Sequence, residues 1–143
     1  MKIEVFNTTR VKFLPLKKLA KAIDLVLNSE KKKMEVNLIL TGTDKIRNLN
    51  RTYRNQDKVT DVLSFALDDG EDPPPFIPSG EIYICVEKAR KQAKQQNHSL
   101  QKELLFLTIH GALHLCGFTH ETDNKYRDMM EKTSQYLQKS RKN

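Results

Sequence analysis

Three histidines, His110, His114 and His120, fall inside the eleven residues HGALHLCGFTH at spacings of four and six. On a helix, positions four apart share one face, with Cβ atoms about 5–6 Å apart. That reach suits two imidazole nitrogens held at about 2.0–2.1 Å from a single metal ion. Gly117 can take a left-handed backbone turn that a residue with a Cβ resists, and the turn would bring His120 back toward the same face. A lone histidine on an apolar helix face is more often a satisfied core residue than a ligand. Three at this spacing, with a glycine where the chain must turn, point to a metal centre. Three protein ligands leave a fourth position for water or substrate, which marks a catalytic rather than a structural zinc. The fourth histidine, His98, precedes the helix and has no such partners.

The spacing resembles the metzincin protease pattern H-E-x-x-H-x-x-G-x-x-H. Gly111, however, stands where those proteases carry the glutamate that serves as general base. A peptidase must activate water and protonate a poor amine leaving group, so it needs that carboxylate. Phosphodiester cleavage can instead draw on metal-activated hydroxide, Lewis-acid stabilisation of a phosphoryl oxygen and a positioned cation. Gly111 is also expected to remove bulk beside the metal and admit a larger substrate. The pattern argues against a zinc peptidase and permits a nuclease.

A chain of 143 residues suits one domain with a genuine core. Hydrophobic residues at 38% and charged residues at 30% fit a soluble globular protein. No stretch reaches the roughly 20 apolar residues of a spanning helix, and the first residues lack a signal-peptide core, so the cytoplasm is the expected location. Cys85 and Cys116 are too few for a disulfide framework and read as small buried hydrophobes. The net charge of +7 is uneven: residues 1–58 carry +8, residues 59–87 carry −7 and residues 88–143 carry +6. Basic flanks around an acidic middle suit a polyanionic partner.

The elements that must position the histidines follow from periodicity. KIEVF (2–6) and MEVNLIL (34–40) alternate as strands, and VTDVLSFAL (59–67) and EIYICV (81–86) are rich in β-branched and aromatic residues. A helix should start at Leu16 behind Pro15, and a short one after Thr43 or Asp44 should turn Ile46, Leu49 and Tyr53 inward. Residues 87–97 look helical, Ser99 can cap a long helix to about Leu115, and a last helix over about 122–139 shows Tyr126, Met129, Met130, Thr133 and Leu137 on one face. An acidic, proline-rich loop should occupy about 68–80. The expected fold is α+β, a single domain over 1–143 with a small mixed sheet of about four strands packed against about five helices.

The two separated motifs NRTYRNQDKVTDVLSF (50–65), followed by GEIYIC (80–85), and HGALHLCGFTH (110–120) are similar to those of the YbeY family of endoribonucleases, over about 37–137. Thr119 and Ala66 stand where that family often has Asp and Pro. The resemblance implies one zinc ion per chain on His110, His114 and His120, with other divalent metals also suited to three imidazoles. It implies a single-strand-specific endoribonuclease acting in 3′-end maturation of small-subunit ribosomal RNA and in ribosome quality control, with RNA and the small subunit or its proteins as partners and no membrane. The family's functional arginine falls on Arg54, which with His114 is the expected catalytic pair. A guanidinium there could grip a phosphate in bidentate fashion, or simply pair with Asp57 at the surface. By alternation Asp61, Leu63 and Phe65 share one strand face, and Val62, Ser64 and Ala66 the other. Asp61 could orient a ligand histidine or cap a turn, Ser64 could line the cleft, and Arg51 and Lys58 are candidate phosphate contacts. The alternative function is a metal-stabilised ribosome-assembly or RNA-binding factor with little turnover.

Overall fold

Alternating segments pair into a sheet because each buries one side-chain row against helices while its backbone groups bond to neighbouring strands. A computed structural model describes residues 2–67 and 79–142. In chain order the elements are β1 (Ile3–Asn7), α1 (Leu16–Ser29), β2 (Glu35–Thr41), α2 (Thr43–Arg54), β3 (Val62–Leu67), β4 (Ser79–Cys85), α3 (Val86–Gln95), α4 (Leu100–Leu115) and α5 (Asp123–Lys142). The strand order is β1-β2-β4-β3. β1, β2 and β4 run parallel, whereas β3 pairs antiparallel with β4 and forms one edge. The fold is a single α+β domain with a mixed four-stranded sheet and five helices.

The main core lies on one sheet face, where Val36, Leu38, Leu40, Ile82 and Ile84 meet Leu19, Ile23 and Leu27 of α1 and the buried residues of α4. α4 is apolar almost all round, as befits a central helix, and Ser99 Oγ caps it by accepting from the Lys102 amide at 3.1 Å. The opposite face carries a smaller cluster, with Ile46 of α2 against Leu63 and Cys85.

Several boundaries differ from expectation for local reasons. β3 begins three residues late, because the Lys58 carbonyl accepts from the Asn50 side chain of α2 instead of a strand neighbour. α2 starts at Thr43, but Gly42 is its N-cap and no side chain caps it. Tyr53 is 62% exposed, since α2 overhangs the sheet edge there, and its ring meets Phe65 edge-on. On α5 the core row is Met129, Thr133 and Tyr136, while Tyr126 is exposed. Ser79 and Gly80 belong to β4, and the rest of the acidic, proline-rich loop lies outside the described residues.

Gly111 allows α4 to lie close against the sheet. A Cβ there would sit 2.8 Å from Ile82 Cγ2, 3.1 Å from Ser64 Oγ and 3.4 Å from Val62 Cγ2. The spare room expected beside His110 therefore does not exist, because strand side chains already fill it. The missing glutamate is a packing requirement. Gly111→Glu should cost about 4 kcal/mol or more, by pressing a carboxylate into this contact. Urea denaturation checks the prediction, and a variant as stable as the parent would refute it.

α5 is latched to the end of α1 through Glu30, whose carboxylate accepts from Tyr136 Oη and from Lys132 Nζ at 3.1 Å. Burial works to raise the Glu30 pKa, but these two donors outweigh it and hold the group below its ordinary 4.5. Burial and the adjoining carboxylate push the Tyr136 phenol up to about 12. A depressed carboxylate stabilises the fold above its unfolded pKa, and that contribution fades as pH falls through the lower folded value. Tyr136→Phe should therefore cost about 1.5–3 kcal/mol near neutrality. Thermal melts should show that gap narrowing as pH drops below 4.5.

Candidate metal centre

The side chains of His110 and His114 leave the C-terminal half of α4 one turn apart. Gly117, at φ +101°, reverses the chain after the helix and returns His120 to them. The three rings form one cluster, with centroids 5.1 Å apart for His110 and His114, 4.9 Å for His110 and His120, and 4.7 Å for His114 and His120. One ligand nitrogen from each lies within 4.8 Å of the others. His110 Nε2 faces His120 Nε2 at 2.9 Å.

Burial favours the neutral form of two of these rings. Burial lowers the His110 pKa to about 4, with His114 and His120 adding to the effect. Burial also lowers that of His114, again helped by His120. Neutral imidazoles keep a free lone pair, whereas imidazolium cannot ligate. His114 Nδ1 lies 3.0 Å from the Phe118 carbonyl, which only accepts, so Nδ1 carries the proton and Nε2 is left as the ligand atom. His110 Nδ1 is buried without a hydrogen-bond partner among the described residues. These observations fit a divalent metal, and the three histidines could bind one.

The cluster lies in a cleft of about 690 Å³ between α4 and β3. Val62, Ser64 and Ala66 form its strand wall; Leu63 also borders it but packs with Ile46 and Cys85 on the other side, as does Phe65. Ser64 Oγ donates to the Gly111 carbonyl at 3.0 Å, so it braces the helix against the strand. Arg54 starts on the α2 side of the sheet and reaches round the β3 edge into the cleft. Its guanidinium lies 4.8 Å from the Phe65 ring centroid, and Nη2 donates to the Ser64 carbonyl at 2.9 Å. The surface pairing considered for Arg54 is taken by another residue: Asp57 binds Arg47 at 2.8 Å.

Asp61 lines the cleft, yet its hydrogen bonds are to the Val62 amide at 2.8 Å, to Thr60 Oγ1 at 3.4 Å and to Gln92 Nε2 at 3.2 Å. No histidine is among these partners. Arg51 and Lys58 are exposed and outside the cleft wall, with Arg51 bonded to Asn48 at 2.7 Å. His98 pairs with the buried Glu103 at 2.6 Å, away from the cluster. Cys85 is buried, and burial raises the half-buried Cys116 thiol to about 11, so neither is a ready thiolate.

Two aromatic residues at the cluster escaped the sequence reading. Phe106 stacks on His110 at 5.6 Å, and Tyr126, 52% exposed, stands 5.8 Å from the His120 ring. Phe106 could have been found, because 106, 110 and 114 share a helix face at spacings of four. Tyr126 could not, because its apolar spacing resembles that of the buried residues beside it.

Comparison with known proteins agrees with this architecture. Residues 4–141 match the family described as Endoribonuclease YbeY. Relatives named Endoribonuclease YbeY include one from Carboxydothermus hydrogenoformans, 41% identical over 83% of this chain and 81% of its own length. Another, from Bacillus licheniformis, is 41% identical over 72% of this chain and 70% of its own length. The solution structure of TM1509 from Thermotoga maritima superposes with a TM-score of 0.67 at 33% identity, covering 96% of this chain and 88% of that one. Histidine cluster, sheet order and sequence agree, and the chain belongs to the YbeY endoribonuclease family.

Proposed function

We propose that this protein is a zinc-dependent endoribonuclease that cuts single-stranded RNA, acting in 3′-end maturation of small-subunit ribosomal RNA and in ribosome quality control. The observation that carries the reading is the cleft itself, where three clustered imidazoles and the Arg54 guanidinium share one space. The names of the relatives supply the substrate class.

His110, His114 and His120 would hold the metal. When bound, it would polarise a phosphoryl oxygen and lower the pKa of a water molecule. Arg54 binds and orients the scissile phosphate. One of its N–H groups is committed to the Ser64 carbonyl, and the remaining donors of the planar fork suit a phosphate. Phe65 steadies the guanidinium plane.

A second reading, an RNA-binding assembly factor with little turnover, draws on one specific feature. Asp61 is the carboxylate among the described lining residues, and both its oxygens are engaged. No uncommitted side-chain carboxylate stands ready as a base there.

Labelled single-stranded RNA decides between them. Chelator-stripped protein should lose cleavage and regain it with zinc, whereas His114→Ala should neither retain zinc nor cut. Equal cutting by all samples would mean a contaminating nuclease, and no cutting by metal-loaded protein would favour the assembly factor. Arg54→Ala should retain its zinc but cleave about 10²–10³-fold more slowly. Arg54→Lys should recover only part of that loss, because ammonium lacks the bidentate fork.

A further inference from the structure

The loop between β1 and α1 breaks two local rules at one place. Phe13 has φ +63°, a left-handed conformation in which a bulky side chain is an outlier, and its side chain is 95% exposed. Glycine or asparagine would sit there with less strain. Immediately after it, α1 opens with no side-chain cap and no acid in its first turn, yet it carries Lys17 and Lys18 there. Cations at the positive end of a helix are unfavourable unless something negative joins them.

Disorder does not explain this exposure. Asn7 Nδ2 donates to the Val11 carbonyl at 2.8 Å, and Asn7 Oδ1 accepts from the Thr9 amide at 2.9 Å. Thr8 Oγ1 donates to the Leu40 carbonyl at 2.8 Å, and Val11 and Leu14 pack on the core. The loop is braced, and it holds Phe13 outward. In the flanking sequence Arg10, Lys12, Lys17 and Lys18 are exposed, and none forms an ion pair among the described residues. A recess of about 450 Å³ shared by Thr9 and Val11 brings in Arg90 and Lys91 of α3, with Glu87 as the one acid among its described lining residues.

We propose that this loop is a second RNA contact, separate from the histidine cleft, in which a base of a single-stranded segment stacks on Phe13 while neighbouring phosphates sit against Arg10, Lys12, Lys17, Lys18 and the start of α1. An aromatic face among unpaired cations is how single strands are held without reading their sequence. A phosphate would also offset the unfavourable lysines at the helix start. β1 and β3 are opposite edges of the sheet, three strand spacings or about 14 Å apart. RNA that engages both places must therefore extend beyond the cleft. The inference rests on the proposed reading of the protein as an RNA-cutting enzyme.

Binding and cleavage of a long single-stranded RNA, and cleavage of a short one confined to the cleft, would be measured for the zinc-loaded parent, Phe13→Ala, Phe13→Tyr and the double variant Lys17→Glu/Lys18→Glu. Phe13→Ala should bind the long RNA about ten-fold more weakly and cut the short one at the parental rate, with Phe13→Tyr restoring affinity. The lysine variant should bind more weakly still and with a shallower salt dependence. Phe13→Gly should melt above the parent while sharing the binding defect, which separates lost contact from lost fold. If the parent binds and cuts RNA but Phe13→Ala binds it equally well, the second contact is refuted. The same result with lost adhesion to phosphatidylglycerol vesicles would assign the loop to a lipid surface and also refute it. If the parent neither binds nor cuts RNA, the underlying functional reading fails instead.

Discussion

Everything in the cleft depends on how closely α4 lies against β3 and β4. The absence of a side chain at Gly111 permits that approach, and the hydrogen bond from Ser64 to the Gly111 carbonyl ties the helix to the strand. Because the helix is held there, His110 and His114 share a cleft with Val62 and Ser64. Close packing makes such a contact intolerant of even one added methylene. The histidines are therefore placed by the same contact that holds the domain together, and the site inherits the rigidity of the core.

Charge is sorted with similar economy. Burial and mutual repulsion leave His110 and His114 inclined to stay neutral, and the Arg54 charge acts on His114 in the same direction. Asp61, the acid among the described lining residues, is held by the start of β3 and Gln92, while Asp57 pairs with Arg47 and Glu103 with His98 away from the cleft. The cleft thus combines imidazoles and a guanidinium with one engaged carboxylate, Asp61, among its described lining residues.

The histidine spacing, the turn at Gly117 and the cap at Ser99 were legible in the sequence because each is a short-range matter, decided within about one or two helical turns. Strand and helix identities were legible for the same reason, as periodicity reports which face is buried. The path of Arg54 from one sheet face to the other was not, since it depends on β3 being the edge strand. Nor was the purpose of Gly111, whose neighbours Ser64 and Ile82 lie far away in the chain. Tyr126 belongs with these. Its spacing matches the α5 core row, but the helix begins beyond the edge of the core and leaves it beside His120.

Among the described residues β3 is also an open sheet edge, and unpaired edges invite strands from other molecules. The guanidinium of Arg54 occupies the Ser64 carbonyl, an acceptor that an added strand would otherwise use, and it sets a positive charge there. Like the charged side chains that blunt exposed sheet edges generally, it discourages self-association. The group proposed to grip a phosphate would thus also guard the edge against strand pairing, one side chain serving two ends.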